Sequence, residues 1–387
     1  EDGKVTLPSV VFFNADDGNT CFGRTALQEY LAGYEGRLMR SMKSLLGSRL
    51  LDGRTEVHGR SLLFRDLLKE FIGELKRRAD LHGESPFEHV VLGRPVYFVD
   101  DDPAADRLAE GTLAEIARSI GFKEVSFQYE PIAAAFHYET EIHREELVLV
   151  VDIGGGTSDF SLVRLSPQRA TLPDRREDLL ANGGVHIGGT DFDRLFSLAS
   201  VMPLFGFRSL LKNQREMPSR IYYDLATWHS INAAYTYRVL TEQKRFSFDA
   251  QEPEKMARLL TLIEKRGGHW LANEVEQAKI ALSAQESTTL VLDHIEADLR
   301  QQLTRDEFDA ATTGLVGKIE VKLATLLRDA GVAPERIDTI FFTGGASGVP
   351  NLRSRIAALL PLARPVAGDL FGSIGAGLAI EAARRYG

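Results

Sequence analysis

The chain of 387 residues contains a single cysteine, Cys21, and no long apolar run. One cysteine excludes an intrachain disulfide and fits a reducing compartment such as the cytoplasm. No apolar run approaches the roughly 20 residues of a membrane-spanning helix. The chain also has no excess of positive charge, since its formal net charge is −9. We therefore expect a cytoplasmic protein whose partners include neither a nucleic acid nor a membrane surface.

Three common catalytic signatures are missing as well. The sequence has no Gly-x-x-x-x-Gly-Lys-Ser/Thr loop, which argues against a P-loop enzyme. It has no Gly-x-Ser-x-Gly elbow of the hydrolase type. His137 and His143 lie six residues apart, which matches neither a common zinc spacing nor one face of a helix.

The length of the chain predicts two lobes rather than one compact core. Strand-like and helix-like patterns recur in both halves, so each lobe is expected to have a central sheet flanked by helices. We place lobe I at residues 1–146, with the C-terminal helix 372–387 returning to it. Lobe II covers residues 147–371 and includes a helical insert at about 196–290.

Several elements are predicted from periodicity. Apolar runs predict strands at Val90–Phe98 and Asp338–Thr343, and apolar spacing predicts a helix over Ala104–Ile120. Residues Met202–Pro253 are rich in aromatics and show no clear period, so no element is predicted there. The opening segment Val5–Phe13 begins directly as a strand.

A glycine hairpin is the strongest chemical signal in the sequence. The apolar run Leu147–Val151 predicts a buried strand, which breaks at Asp152 and resumes as an alternating strand over Phe160–Leu165. The turn holds three consecutive glycines, whose backbone N–H groups can approach an anion without a Cβ in the way: Gly154, Gly155 and Gly156.

Two aspartates bracket this turn. Asp152 stands at the carboxyl end of the first strand, and Asp159 stands at the start of the returning strand. Magnesium keeps several waters and is held by one or two carboxylates, so this pair suits the magnesium complex of a triphosphate. The alternative is a plain tight turn in which both aspartates only form the turn.

A second glycine element follows the strand that ends at Thr343. Gly344 and Gly345 precede a helix that starts near Pro350, so a ligand can lie flat against their backbone. A simple strand-to-helix connection would look the same. Two such elements far apart in sequence predict one nucleotide held between two sides of a cleft.

A third group consists of Glu276, Lys279 and Ser283, which share one face of a helix. An acid, an ammonium and a hydroxyl there suit the ribose and base of a nucleotide. From spacing alone, a solvated helix face is the favoured interpretation.

Together these motifs resemble the nucleotide-binding domain of DnaK-type heat-shock chaperones. The resemblance covers most of the chain apart from roughly Met202–Pro253. Among the members of this family, the chain most resembles the stand-alone YegD-type proteins. The matching segments are Glu130–Ala135, Val151–Asp159, Gly188–Asp193, Glu276–Ser283 and Thr343–Pro350.

The resemblance implies an actin-like ATPase fold with ATP or ADP and Mg²⁺ in the cleft between the lobes. It also implies slow ATP hydrolysis coupled to lobe closure. An unidentified co-chaperone or client protein is an implied partner. Rival functions are a nucleotide-dependent switch with little hydrolysis, a small-molecule kinase and a filament-forming actin relative.

Roles for individual residues follow from the resemblance alone. The implied catalytic residues are Lys43, Glu130, Thr157 and Asp159. Asp152 and Asp159 are implied to hold the metal through water. The implied nucleotide contacts are Gly154, Gly155, Gly156, Thr157, Gly188, Gly189, Glu276, Lys279, Ser283, Gly344, Gly345 and Asp369.

The sequence departs from the family pattern at several points. Gly348 replaces an arginine that stacks on adenine, and Thr190 replaces a glutamate. The first phosphate motif, an Asp-x-Gly-Thr hairpin, is absent from the sequence, and we expect it to lie upstream of Glu1. No hydrophobic linker or peptide-binding domain is recognised after Gly387, so peptide binding of the chaperone type has no visible site in this sequence.

Overall fold

The computed structural model describes most of the chain, apart from short gaps. It covers residues 3, 6–40, 46, 51, 53–57, 60–99, 102–172, 174–369 and 372–387, without the side chains of Thr55, Glu56, Arg60 and His137. These residues form two compact units. The first comprises Glu1–Val150, Leu162–Leu180 and Val366–Gly387, and the second comprises Val151–Ser161 and Ala181–Pro365. The lobe boundaries expected from the sequence stay a prediction.

The described residues contain both strands and helices throughout. In its first part the elements are β1 (Val10–Asn14), β2 (Thr20–Phe22), α1 (Gly23–Leu31), β3 (Gly36–Arg40), β4 (Arg54–Val57), β5 (Arg60–Leu63), α2 (Phe64–Asp80), β6 (His89–Arg94), α3 (Pro103–Ser119), β7 (Glu124–Tyr129) and α4 (Glu130–Glu141). The glycine-rich middle follows with β8 (Glu146–Ile153), β9 (Ser158–Leu165), β10 (Leu179–Val185) and α5 (Gly189–Phe196). The rest consists of α6 (Arg220–Ala226), α7 (Tyr237–Asp249), α8 (Pro253–Glu264), α9 (Gly268–Ala284), β11 (Ser287–Val291), β12 (Arg300–Thr304), α10 (Arg305–Asp329), β13 (Thr339–Thr343), α11 (Pro350–Leu359), β14 (Arg364–Ala367) and α12 (Ser373–Tyr386).

The first unit is organised around the buried strand β1. It lies between β2 and β3 in an antiparallel sheet, and Phe12 pairs with Leu38 of β3. Alternate side chains point to opposite faces of the sheet, so Val11 packs among buried residues of α2 and α3, and Phe12 packs with Ala26 of α1. A β4–β5 hairpin and a parallel β6–β7 pair also belong to this unit.

Local chemistry explains where the predicted elements of this unit begin and end. The strand predicted over Val90–Phe98 stops at Arg94, because Pro95 has no N–H to donate to a neighbouring strand. The predicted helix is confirmed as α3. It begins where the carboxylate of Asp102 accepts the N–H groups of Ala104 and Ala105 at 3.1 and 3.0 Å.

The glycine-rich middle of the chain belongs to a five-stranded sheet with the order β10-β9-β8-β13-β14. The predicted glycine hairpin is confirmed, since β8 and β9 are adjacent and the glycines form the turn between them. β8 continues through Ile153, so the expected break at Asp152 is wrong by two residues and Asp152 belongs to the strand.

Residues Met202–Pro253, which lacked a period, are largely ordered into short helices. They contain α6 and the 13-residue helix α7, which begins where Thr236 Oγ1 accepts the N–H of Val239 at 3.4 Å. α7 is mostly exposed, and its buried residue is the polar Gln243. Among the described residues, no helix has the length and apolar character needed to cross a bilayer.

A buried ion-pair network fixes one loop of the first unit. Arg175 is 2% exposed and donates to both carboxylate oxygens of Glu139, at 2.9 and 2.7 Å, and also to Asp178. Glu139 lies on α4 and also accepts the N–H of Ser166 at 3.0 Å. The network therefore ties the segment between β9 and β10 to α4.

Arg175→Ala should lower the free energy of unfolding by about 3–5 kcal/mol, because Glu139 and Asp178 then stay buried without their cation. Urea denaturation measures the loss, and hydrogen exchange of α4 localises it to the first unit. Arg107→Ala is the control, since Arg107 is exposed and forms no ion pair in the described ranges. It should change stability by less than about 0.5 kcal/mol. Equal effects of the two substitutions would contradict a structural role for the network.

Candidate functional site

The tip of the β8–β9 hairpin is exposed at Gly155 and Gly156. The turn is closed by the N–H of Gly154, which donates to the carbonyl of Thr157 at 3.0 Å. A Cβ added at Gly155 or Gly156 would meet no atom within 4 Å. Within the described part of the chain, the N–H groups of these two glycines donate no hydrogen bond. The tip is therefore a set of free donors with room for an anion.

The segment leading into α5 holds this tip in place. The N–H groups of Gly189 and Thr190 donate to the carbonyls of Gly154 and Gly155 at 2.9 and 2.8 Å, and Thr190 Oγ1 donates to Gly155 at 2.8 Å. Only glycine fits at 188, because a Cβ there would lie 2.4 Å from the nitrogen of Gly156. These contacts use the carbonyls of the turn and leave its N–H groups available.

The two predicted metal carboxylates each lie against a glycine. A Cβ at Gly344 would come within 2.4 Å of Asp152 Oδ1, and a Cβ at Gly184 would come within 2.6 Å of Asp159 Oδ1. Asp159 also accepts the hydroxyl of Thr157 at 2.8 Å. No group of three or more His, Cys, Asp or Glu side chains forms a metal site among the described residues. Magnesium does not need one, because it binds through one or two carboxylates and water.

The loop between β13 and α11 is the second predicted glycine element. Gly344 has φ +79°, a conformation that favours glycine, and its carbonyl accepts the N–H and the hydroxyl of Ser347 at 3.0 and 2.7 Å. Gly345 starts a single helical turn that ends at Gly348. Since Gly344 lies against Asp152, the two predicted glycine elements come together in the second unit.

Helix α9 contributes a buried lysine to the same region. Lys279 is 8% exposed, so it does not lie on a solvated face. Its Nζ lies 2.8 and 2.9 Å from the two carboxylate oxygens of Asp193, and a Cβ at Gly189 would lie 3.4 Å from it. Glu276 and Ser283 lie one turn away on either side and are half-buried. This helix face is therefore fixed against the start of α5.

Glu130 and Asp369 belong to the first unit. Glu130 is the first residue of α4, and its carboxylate lies beside Gly93, where a Cβ would come within 3.2 Å of Oε1 and 3.1 Å of Leu378. The carbonyl of Asp369 accepts the hydroxyl of Ser373 at 2.6 Å at the start of α12. Lys43 lies outside the described residues.

Three residues that position the site were missed from the sequence. Asp193 orients Lys279, Gly184 leaves room for Asp159, and Gly93 leaves room for Glu130. Asp193 lies within the quoted segment Gly188–Asp193, but its partner is 86 residues away, so no local pattern shows the pair. Isolated glycines in strands are a general signal of a close approach.

Comparison with known proteins identifies the family of the chain. A model of the Hsp70 protein family matches residues 54–200 and 254–380. The chain belongs to the Hsp70 family. The expected actin-like ATPase fold is thereby confirmed, and so are the cofactors, because Hsp70 proteins use ATP and ADP with Mg²⁺.

Two relatives show how far the similarity extends. The chain is 27% identical over 376 residues to the chaperone protein HscA homolog of Aromatoleum aromaticum. It is 25% identical over 362 residues to the chaperone protein DnaK of Thermosipho africanus. Each match covers 92% of this chain and 49% of the relative. The chain thus spans about half the length of these curated relatives.

Gly344→Ala should destabilise the second unit by about 2 kcal/mol or more, because it combines an unfavourable φ with a clash against Asp152 and Ile153. Thermal unfolding measures the loss. Gly155→Ala is the matched control, since its Cβ meets nothing within 4 Å, and it should unfold like the parent protein. A stable Gly344→Ala variant would show that the two glycine elements do not pack as described.

Proposed function

We propose that this Hsp70-family chain binds ATP with Mg²⁺ and slowly hydrolyses the bond between its β- and γ-phosphates. The observation that carries the proposal is the exposed hairpin tip, where the N–H groups of Gly155 and Gly156 donate no hydrogen bond among the described residues. Anions bind such concave sets of backbone donors. The contacts of Gly188, Gly189 and Thr190 hold the tip rigid, so no ordering cost falls on binding there.

In this proposal the phosphates lie along the tip and the hydroxyl of Thr157 approaches the γ-phosphate. Asp152 and Asp159 hold the metal through water, with their side chains set by Gly344 and Gly184. Bound magnesium supplies positive charge that offsets the charge developing on the transferred phosphoryl group.

The adenosine would lie along α9 and the β13–α11 loop. Lys279 is held by Asp193, so its ammonium is already positioned for the ribose, with Glu276 and Ser283 on the same face. Gly344 and Gly345 offer flat backbone, and Asp369 completes the set that the family resemblance implies. Gly348 has no side chain to stack on adenine, so we expect weak selectivity for the base.

Hydrolysis requires a group that orients the attacking water. We assign that role to Glu130, whose carboxylate is confined by Gly93 and Leu378. Asp159 and Thr157 assist at the phosphate, and Lys43 is assigned to the γ-phosphate from the family resemblance. Coupling of hydrolysis to lobe closure stays a prediction.

Partners and location are part of the same proposal. Both relatives named above are chaperone proteins, so a co-chaperone or a client protein is the expected partner class.

A cytoplasmic location suits the lone thiol. Burial, together with the hydrogen bond and the negative charge of Glu29, raises the pKa of Cys21 to about 12, and a protonated thiol oxidises slowly.

Magnesium-dependent nucleotide binding is the first test. Calorimetry should show ATP binding that weakens when EDTA removes the metal. Gly155→Ala should bind ATP at least about tenfold more weakly, because a methyl group occupies the space of the phosphates, while its thermal stability is unchanged. GTP should compete measurably with ATP for this site, since Gly348 has no side chain to stack on the base. Absence of ATP binding with and without magnesium would overturn the proposal.

Glu130→Gln should reduce the turnover number by about 100-fold or more and leave the dissociation constants of ATP and ADP nearly unchanged. Gly93→Ala should reduce turnover by a smaller factor, because its new methyl group displaces the Glu130 carboxylate. Lys43→Ala should also abolish turnover without loss of ADP binding. Single-turnover assays measure each rate, and Gly111→Ala, with no atom within 4 Å of its Cβ, is the control. Normal turnover in Glu130→Gln would leave a nucleotide-dependent switch as the better description.

A further inference from the structure

The first unit contains a polar cavity of about 290 Å³. It is formed where β6 and β7 end, beside α3, α12 and the loop before β10. Its lining residues are Arg94, Glu110, Phe127, Gln128, Tyr129, Asp174, Arg175, Arg176 and Arg385. None of the residues proposed above for ATP lines this cavity, and four of its nine lining residues are arginines.

Two of these arginines are already engaged and act as fixed walls. Arg94 donates to Asp106 at 2.8 Å, to Glu110 and to the carbonyls of Pro95 and Val96. Arg175 is held by Glu139 and Asp178, as described above. Neither guanidinium can turn toward a ligand without leaving a buried carboxylate unpaired, which is costly.

The other two arginines keep unused donors. The side chain of Arg176 is exposed and makes no hydrogen bond or ion pair with the residues that the structure describes. Arg385 donates from Nε to Glu381 at 2.6 Å, and its two Nη groups have no partner in the same set of residues. A guanidinium carries five N–H donors in a planar fork, so most of this donor capacity is unused.

Acceptors in the cavity are fewer than donors. The carboxylate of Glu110 receives Arg94, and Asp174 Oδ1 accepts the backbone N–H of Arg176 at 2.9 Å. Gln128 directs its oxygen to the N–H of Tyr129 at 2.9 Å. Acceptors are thus present but outnumbered, and a ligand that supplies several oxygens would pair with the unused arginine donors.

We propose that this cavity binds a small molecule through an oxyanion, a phosphate or carboxylate group held by Arg176 and Arg385. Planar guanidinium forks match the paired oxygens of both groups, and such bonds are about twice as strong as neutral ones. Phe127 and Tyr129 also line the cavity, and the guanidinium of Arg94 lies over the Tyr129 ring. The volume lies near the lower end of ligand pockets, which favours a metabolite over a peptide.

The test is a titration of the full chain with inorganic phosphate and, separately, with citrate. Heteronuclear NMR follows the arginine side chains, and calorimetry gives the affinity. Arg176→Gln/Arg385→Gln should bind at least about tenfold more weakly than the parent protein. Arg118→Gln, an exposed arginine of α3 that does not line the cavity, should bind normally. Arg176→Gln alone removes no contact within the described residues, so a loss of binding there cannot come from unfolding.

Asp152→Asn separates this cavity from the proposed ATP site. It should leave binding of both anions at Arg176 and Arg385 intact even if ATP binding fails altogether. Binding of phosphate alone identifies a phosphate ligand, and binding of citrate alone identifies a carboxylate ligand. The proposal is overturned if neither anion binds, if all variants bind equally, or if only Asp152→Asn loses binding.

Discussion

Close approach of backbone to backbone, at positions where no Cβ fits, is the constraint on which the second unit depends. Gly188 lies against Gly156, and Gly344 lies against Asp152 and Ile153. A methyl group at either place would meet main-chain atoms at 2.4 to 2.6 Å, and main chain cannot turn aside as a side chain can. Two loops distant in sequence can therefore approach the hairpin closely, while the N–H groups of Gly155 and Gly156 keep their hydrogen-bonding capacity.

In the first unit, buried ion pairs hold distant segments together, as the glycine contacts do in the second unit. Glu139, Arg175 and Asp178 are almost completely buried and satisfy one another, which fixes the loop before β10 on α4. α4 itself crosses α12 so closely that a Cβ at Gly377 would lie 1.8 Å from the carbonyl of Ala133. That crossing brings Leu378 beside Gly93, and the two residues confine the carboxylate of Glu130. The buried network and the helix crossing thus act on the same short helix.

The sequence predicted those features that depend on neighbours in the chain. The hairpin of β8 and β9, the glycines after β13 and the helix α3 all have local causes: an apolar run, a glycine, an N-terminal cap. It could not predict that Lys279 pairs with Asp193 or that Gly93 makes room for Glu130, because these contacts join distant segments. α7 was missed for a different reason, since it is mostly exposed and its buried residue is the polar Gln243. The carboxylates Asp152 and Asp159 were predicted as metal ligands, but the glycines that orient them appear only in three dimensions.

The second unit consists of two separate segments of the chain, and its candidate site combines residues from both segments. Asp152 belongs to the first segment of the unit and Gly344 lies near the end of the second, so almost half of the chain separates two residues in contact. During synthesis, the ribosome releases the hairpin long before the loop that must pack on it. The hairpin therefore lacks its packing partner, the loop that carries Gly344, until that residue has emerged from the ribosome. The packed form of this region can therefore arise only after the distant segment that carries Gly344 has been synthesised.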